Sequence, residues 1–164
     1  MAVVHVKSQS LQDIEALRTK KLNPIRSRGR VREDFEVIET NADDSIGSTF
    51  RFMRLPSRAR VSALLGYSDG AGSAGVAEVG LYHVNGGAAV DTDLFEDGWT
   101  VATAGRRVDL VTEPDIGDLP KRLWELLGLS EDPGVDYDVA LTLTTAIAGA
   151  ATTIGVQAQY ILDE

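Results

Sequence analysis

From residue 31 onward, apolar and polar residues alternate with a period of two, as in strands that bury one face. In VREDFEVIET, Phe35 and Val37 share a face. Residues 49–55 set Phe50 and Phe52 on one side and Arg51 on the other. Pro56-Ser57 ends that run, because proline cannot donate to a strand ladder. The next run, 58–68, groups Val61, Ala63, Leu65 and Tyr67 on one face. After the glycine-rich loop 69–75, Ala77, Val79 and Leu81 face one way in residues 76–84. Asn85-Gly86-Gly87 is then a strong turn signal. Two cleaner alternations close the chain. Residues 137–145 point Val139, Leu141 and Leu143 inward and Asp138, Thr142 and Thr144 outward. Residues 154–162 mirror them, with Ile154, Val156, Ala158 and Tyr160 set against Gln157 and Gln159. The small apolar link AIAGAA (146–151) reads as the loop of a hairpin joining these two strands.

Helical periodicity is rarer. Residues 118–128 line up Leu119, Leu123, Trp124, Leu126 and Leu127, with Asp118 as cap and Gly128 as stop. Residues 8–21 carry a narrower stripe of Leu11, Ile14 and Leu17, with Ser8 or Ser10 as cap. Pro24 and Gly29 bar its extension, so residues 23–32 read as an extended arm. Residues 41–47 form a turn-rich loop, 91–97 read as irregular with room for one helical turn, and 99–111 hold one or two short strands. About seven half-buried strands with one good helix in the body predict an all-β fold. The expected architecture is an antiparallel β-sandwich, jelly-roll-like, with one short helix and an extended basic N-terminal arm. Residues 1–33 form the arm and 34–164 the sandwich domain. A parallel sheet would need a helix after nearly every strand, and no fixed-period repeat supports a propeller or solenoid.

Charge adds an asymmetry to this picture. Residues 1–33 hold eight basic and three acidic residues, a net +5, while the remaining 131 carry eight basic and twenty-two acidic, a net −14. A basic arm on an acidic body suits docking on an anionic surface, or folding back onto its own acidic domain or an identical neighbour. Arg26, Arg28, Arg30 and Arg32 alternate, so an extended chain projects them on one side at ~6.5 Å intervals. That row suits phosphates or carboxylates. Nucleic-acid readers add aromatic stacking residues, and residues 1–34 contain none, so an acidic protein surface is the better target. Arg51, Arg54, Arg58 and Arg60 cluster around the Pro56 turn, as a second contact patch or as a solvated turn offsetting nearby acids. At 164 residues one core-bearing domain is expected. No apolar run reaches the ~20 residues of a membrane helix, and the start lacks the charged n-region of a signal peptide.

Candidate chemistry is sparse. With no cysteine there is no disulfide, thiolate nucleophile or zinc-thiolate site. Gly70, Gly72 and Gly75 match a dinucleotide-binding G-x-G-x-x-G, but that loop must open a helix and here it runs into a strand pattern. Asp91, Asp93, Glu96 and Asp97 crowd seven positions without the spacing of a calcium loop, so a solvated acidic loop is the default. The two histidines, His5 and His83, have neither metal-ligand nor triad spacing. Asp136 and Asp138 can share a strand face, but no pocket is indicated to raise a carboxyl pKa for acid–base work. The expectation is a protein that is not an enzyme and needs no cofactor or metal.

Several segments in order, RFMRLPSRARVSALL (51–65), GVAEVGLY (75–82), DTDLF (91–95), KRLWELLGL (121–129), DPG (132–134), YDVALTLTTA (137–146) and GVQAQY (155–160), resemble a family of small virion proteins of tailed bacteriophages. The resemblance covers roughly residues 31–162 and least matches the basic N-terminal part. It implies virion membership, and the family is similar to head decoration or cement proteins. On that resemblance the expected function is capsid decoration on the virion exterior after assembly in the host cytoplasm. The major capsid protein is then the partner, and a trimer is expected by analogy. Other readings are a tail, neck or fibre-associated component, or a carbohydrate-binding sandwich module. The resemblance supplies no catalytic residues.

Overall fold

The structure, a computed structural model, describes residues 30–70 and 72–162. The helix expected over 8–21 and most of the arm lie outside these residues. Eight strands are described: β1 Arg30–Glu39, β2 Thr49–Pro56, β3 Arg60–Ser68, β4 Gly72–His83, β5 Ala89–Thr100, β6 Gly105–Asp109, β7 Asp136–Gly149 and β8 Thr153–Leu162. They form two antiparallel four-stranded sheets, ordered β1-β8-β3-β6 and β2-β7-β4-β5. Among successive strands only β4 and β5 pair as a hairpin, through Asn85 and Gly86 at φ 58° and 77°. Every other connection between the sheets' strands crosses from one sheet to the other, which is jelly-roll winding.

The expected sandwich is therefore present. Val139, Leu141 and Leu143 of β7 face Ile154, Val156 and Ala158 of β8 across the core, all buried as their alternation predicts. Each of these buried valine, leucine and isoleucine side chains contributes roughly 1.5–3 kcal/mol. The expected β7–β8 hairpin is not formed, however. The two strands belong to different sheets, and residues 150–152 carry the chain across. Alternation fixes which face is buried but is identical for a hairpin partner and for a strand in the opposite sheet.

Two bulges change faces that a strict period of two assigns. Ser62 is an extra residue in β3, between Val61 opposite Tyr160 and Ala63 opposite Gln159. Val61 points inward, but beyond the bulge Leu64, Gly66 and Ser68 do, and Ala63, Leu65 and Tyr67 turn outward. In β2 the extra residue is Phe52, between Arg51 opposite Ala140 and Met53 opposite Val139. Residues 91–97, expected as irregular, lie inside β5, whose register shifts three times along β4. Those shifts blur the alternation that would have announced the strand.

The body's helix, α1, is a single turn at Leu123–Leu126 instead of the expected 118–128. Pro120 lacks an N–H, and the Leu123 and Trp124 N–H groups donate to Ala59 and Ser57 carbonyls in the β2–β3 turn. The turn is thus anchored by tertiary hydrogen bonds, and only Leu123 is fully buried. Gly128, at φ 70°, stops it as expected.

Candidate contact surface

The outer face of the β1-β8-β3-β6 sheet follows from the register. Residues opposite one another in antiparallel strands share a face. Val31, Phe35 and Val37 of β1 thus lie beside Ile161, Gln157 and Gly155 of β8, and Leu65 and Tyr67 of β3 lie beyond. Gly155 is required there. A Cβ would sit 3.1 Å from Phe35 Cζ and 3.5 Å from Tyr67 Cβ, so its absence lets Phe35 and Tyr67 meet across the middle strand. Their rings form an edge-to-face pair with centroids 5.3 Å apart. Tyr67 donates its hydroxyl to Gln157 Oε1 at 2.6 Å.

Beside this pair lies an open groove of about 590 Å³ walled by Phe35, Val37, Tyr67, Asp69, Ala104 and Thr153. A hydrogen-bonded network fixes its end. Thr152 Oγ1 donates to Asp69 Oδ1 at 2.5 Å, and the Thr153 N–H donates to the same oxygen at 2.8 Å. These bonds hold the Asp69 carboxyl below its ordinary pKa. Thr40 and Thr152 exchange further bonds, tying the end of β1 to the start of β8.

At β1 the rule that a shared apolar face marks the core side fails. Val31, Phe35 and Val37 are 62%, 51% and 51% exposed. The opposite face carries Arg32, Asp34 and Glu36, also exposed, and of these positions only Ile38 packs on the core. β1 is the outermost strand, and charges on the inward side of an edge strand oppose addition of a foreign strand.

The arginines singled out in the sequence divide among several places. Arg26 and Arg28 lie outside the described residues. Arg30 and Arg32 are exposed on one face of β1, opposite Leu162 and Tyr160. Residues 30–33, grouped with the arm from sequence, are thus the first rungs of the edge strand. The Phe52 bulge puts Arg51 and Arg54 on the same face, where a regular strand would put residues three apart on opposite faces. Both reach Asp138: Arg54 Nε at 2.8 Å and Arg51 Nη1 at 3.2 Å. The Asp138 bond holds the Arg54 pKa above its ordinary value.

Arg51 also donates to the His83 carbonyl at 2.7 Å and the Gly87 carbonyl at 2.6 Å, and its guanidinium lies 4.9 Å from the Tyr82 ring centroid. It fastens the β4–β5 turn to the sheet. Arg58 is exposed in the β2–β3 turn. It acts on Asp132, whose pKa is lowered first by the Ser57 hydrogen bond, then by the Gly134 N–H and by Arg122 and Arg58. Arg60 opens β3 in the other sheet, opposite Ile161. The Pro56-turn arginines therefore do not form one patch.

An anionic hollow lies elsewhere, lined by Asp91, Asp93, Glu113, Asp115 and Asp118. Burial and the neighbouring Asp93 raise the Asp91 pKa. Among the described residues no group of three or more acids and histidines is placed to hold a metal ion. No described helix is long and apolar enough to cross a membrane. Trp99, at 5% exposure, belongs to the core and offers no aromatic platform.

No family model and no curated protein matches the chain. Solved structures do. A chain of the cyanophage Pam1 capsid asymmetric unit superposes with a TM-score of 0.58 at 16% identity, over 89% of this chain and 95% of that one. A chain of the capsid of Ralstonia phage GP4 gives 0.59 at 17% identity, over 88% and 92%. The fold is that of chains in phage capsids. At these identities the likeness is one of fold, and it spans both jelly-roll sheets.

Proposed function

We propose that the protein is a non-enzymatic component of a tailed-phage virion that binds the outside of the assembled head and stabilises it. The observation that carries this reading is the likeness of fold to chains of two phage capsids over more than nine-tenths of their length. The resemblance of residues 31–162 to small virion proteins supports it independently of the fold. A stiff jelly roll with a basic segment at its edge suits decoration of a shell. Many weakly bound copies on a lattice gain from effective concentration. The partner is the major capsid protein, and the contact runs through Arg26, Arg28, Arg30 and Arg32, with Arg54 and Arg58 as further exposed basic side chains. By analogy with other decoration proteins the chain acts as a trimer.

The test is sedimentation with purified, undecorated heads. The parent chain co-sediments and loses affinity as salt rises. Arg26→Glu/Arg28→Glu binds at least ten-fold more weakly. Binding indifferent to this reversal removes the arm from the contact. Recovery of the protein in the tail fraction of disrupted virions, identified by mass spectrometry, overturns the head assignment.

A further inference from the structure

Strand β1 is held on one side only. Residues 30–37 are exposed on both faces, and among the described residues only β8 pairs with the strand. Val31 and Phe35 therefore stand uncovered. Such an edge presents a row of backbone donors and acceptors to any strand that can fit beside it. Its charges decide which strand that is. The face carrying Arg30, Arg32, Asp34 and Glu36 runs from positive to negative along the chain. That order is complementary to its own reverse.

We propose that β1 pairs antiparallel with β1 of a second copy, about a two-fold axis at Glu33, so that the two sheets continue into one. Residues opposite one another in an antiparallel pair share a face, so the axis must pass through a residue. With the axis at Glu33, Arg30 meets Glu36, Arg32 meets Asp34 and Val31 meets Phe35, each contact occurring twice. One face then carries four opposite-charge pairs, and the other sets each valine against a phenylalanine. An axis at Val31, Arg32, Asp34, Phe35 or Glu36 instead puts like charges opposite one another on the charged face. The favoured register contains one like pair, Glu33 against its own copy. Each Glu33 is drawn sideways to Gln159 of β8, whose Nε2 donates to its Oε2 at 2.7 Å, and it lies in water. An arginine has five N–H donors, so Arg30 and Arg32 can serve contacts within their own chain and across the axis. The charges that oppose a foreign strand thus admit this one, which makes the edge selective. The pairing needs no capsid and does not rest on the function proposed above. As a two-fold contact it is separate from the proposed trimer, and Arg26 and Arg28 precede the paired stretch.

Glu33→Cys tests the register in a full chain that contains no cysteine of its own. Residue 33 faces its own copy, so this variant should oxidise to a disulfide-linked dimer, seen on non-reducing gels. In Val37→Cys the two thiols would stand about 26 Å apart, eight residues at ~3.3 Å each, and should cross-link at least ten-fold less. Equal yields, or no dimer from Glu33→Cys, overturn the proposal. The charge order is tested by sedimentation velocity. Arg30→Glu/Arg32→Glu makes the charged face wholly acidic, and Asp34→Arg/Glu36→Arg makes it wholly basic. With far-ultraviolet circular dichroism retained, each variant alone should self-associate at least ten-fold more weakly than the parent. Mixed in equal amounts they should recover the parent's association, since every opposed pair is again of opposite charge. A mixture that associates no better than its parts overturns the proposal, as does a parent whose association neither variant changes.

Discussion

Gly66 sits inward on β3, between Leu64 and Ser68, under the indole of Trp99. A Cβ at this position would lie 2.8 Å from Trp99 Cζ2, 2.9 Å from Cη2 and 3.0 Å from Leu110 Cδ1. Carbon atoms rest at roughly 3.5–4.0 Å, so the added methyl must displace the indole by about 0.7 Å or more. Neither neighbour can give way into solvent, since Trp99 is 5% and Leu110 0% exposed. Overpacking of this kind costs about 1–3 kcal/mol. The stiffer unfolded chain of an alanine returns about 0.4–1 kcal/mol, because Gly66 is not in the left-handed region. Gly66→Ala should therefore destabilise by about 1–2 kcal/mol net, read from urea unfolding by circular dichroism. Trp99→Phe removes the second ring, which carries both clashing atoms, and leaves a cavity of its own. On that background Gly66→Ala should cost at least about 1 kcal/mol less, a coupling that a double-mutant cycle resolves. An equal cost in both backgrounds, or an alanine variant as stable as the parent, would refute the account of why this strand carries a glycine.

Asp138→Ala should lower the melting temperature, because it strips the carboxylate from Arg51 and Arg54 at a site only 7% exposed; the loss is about 1–3 kcal/mol by thermal or urea unfolding, and an unchanged melt would show that these bonds carry no stability. Stability should also fall in acid: Asp69 and Asp132 bind protons less readily folded than unfolded, so their contribution is whole above the ordinary carboxylate value of 3.8 and drains away as pH drops through their lower folded values. Asp69→Asn should flatten that acid limb, and an identical limb would exclude Asp69 from it. At the alkaline end, burial raises the pKa of Tyr137 and Tyr160, so their contribution is whole below pH 10 and is lost as pH rises beyond it.

The proposed contact surface was partly legible in the sequence. The alternating arginines at 26–32 and the charge contrast between residues 1–33 and the rest are visible in the sequence. The convergence of Arg51 and Arg54 on Asp138 is not, because it requires the extra residue at Phe52 to turn residues three apart onto one face. Nor is the apolar row on β1. A charged alternate face is normally the solvent side, and only the position of β1 at the end of its sheet lets both faces stand open.

By itself the sequence determined the all-β class, the inward sets on β4, β7 and β8, the Asn85-Gly86 turn and the stop at Gly128. These are local properties: side-chain alternation and backbone freedom act within a few residues. Tertiary structure alone decided which sheet each strand joins, where the bulges fall, and that β7 and β8 face each other across the core instead of pairing. A strand's alternation records that one side is buried, and it is the same whatever buries it. Pairing is settled by long-range hydrogen bonds and packing, to which the local pattern contributes only half of each contact.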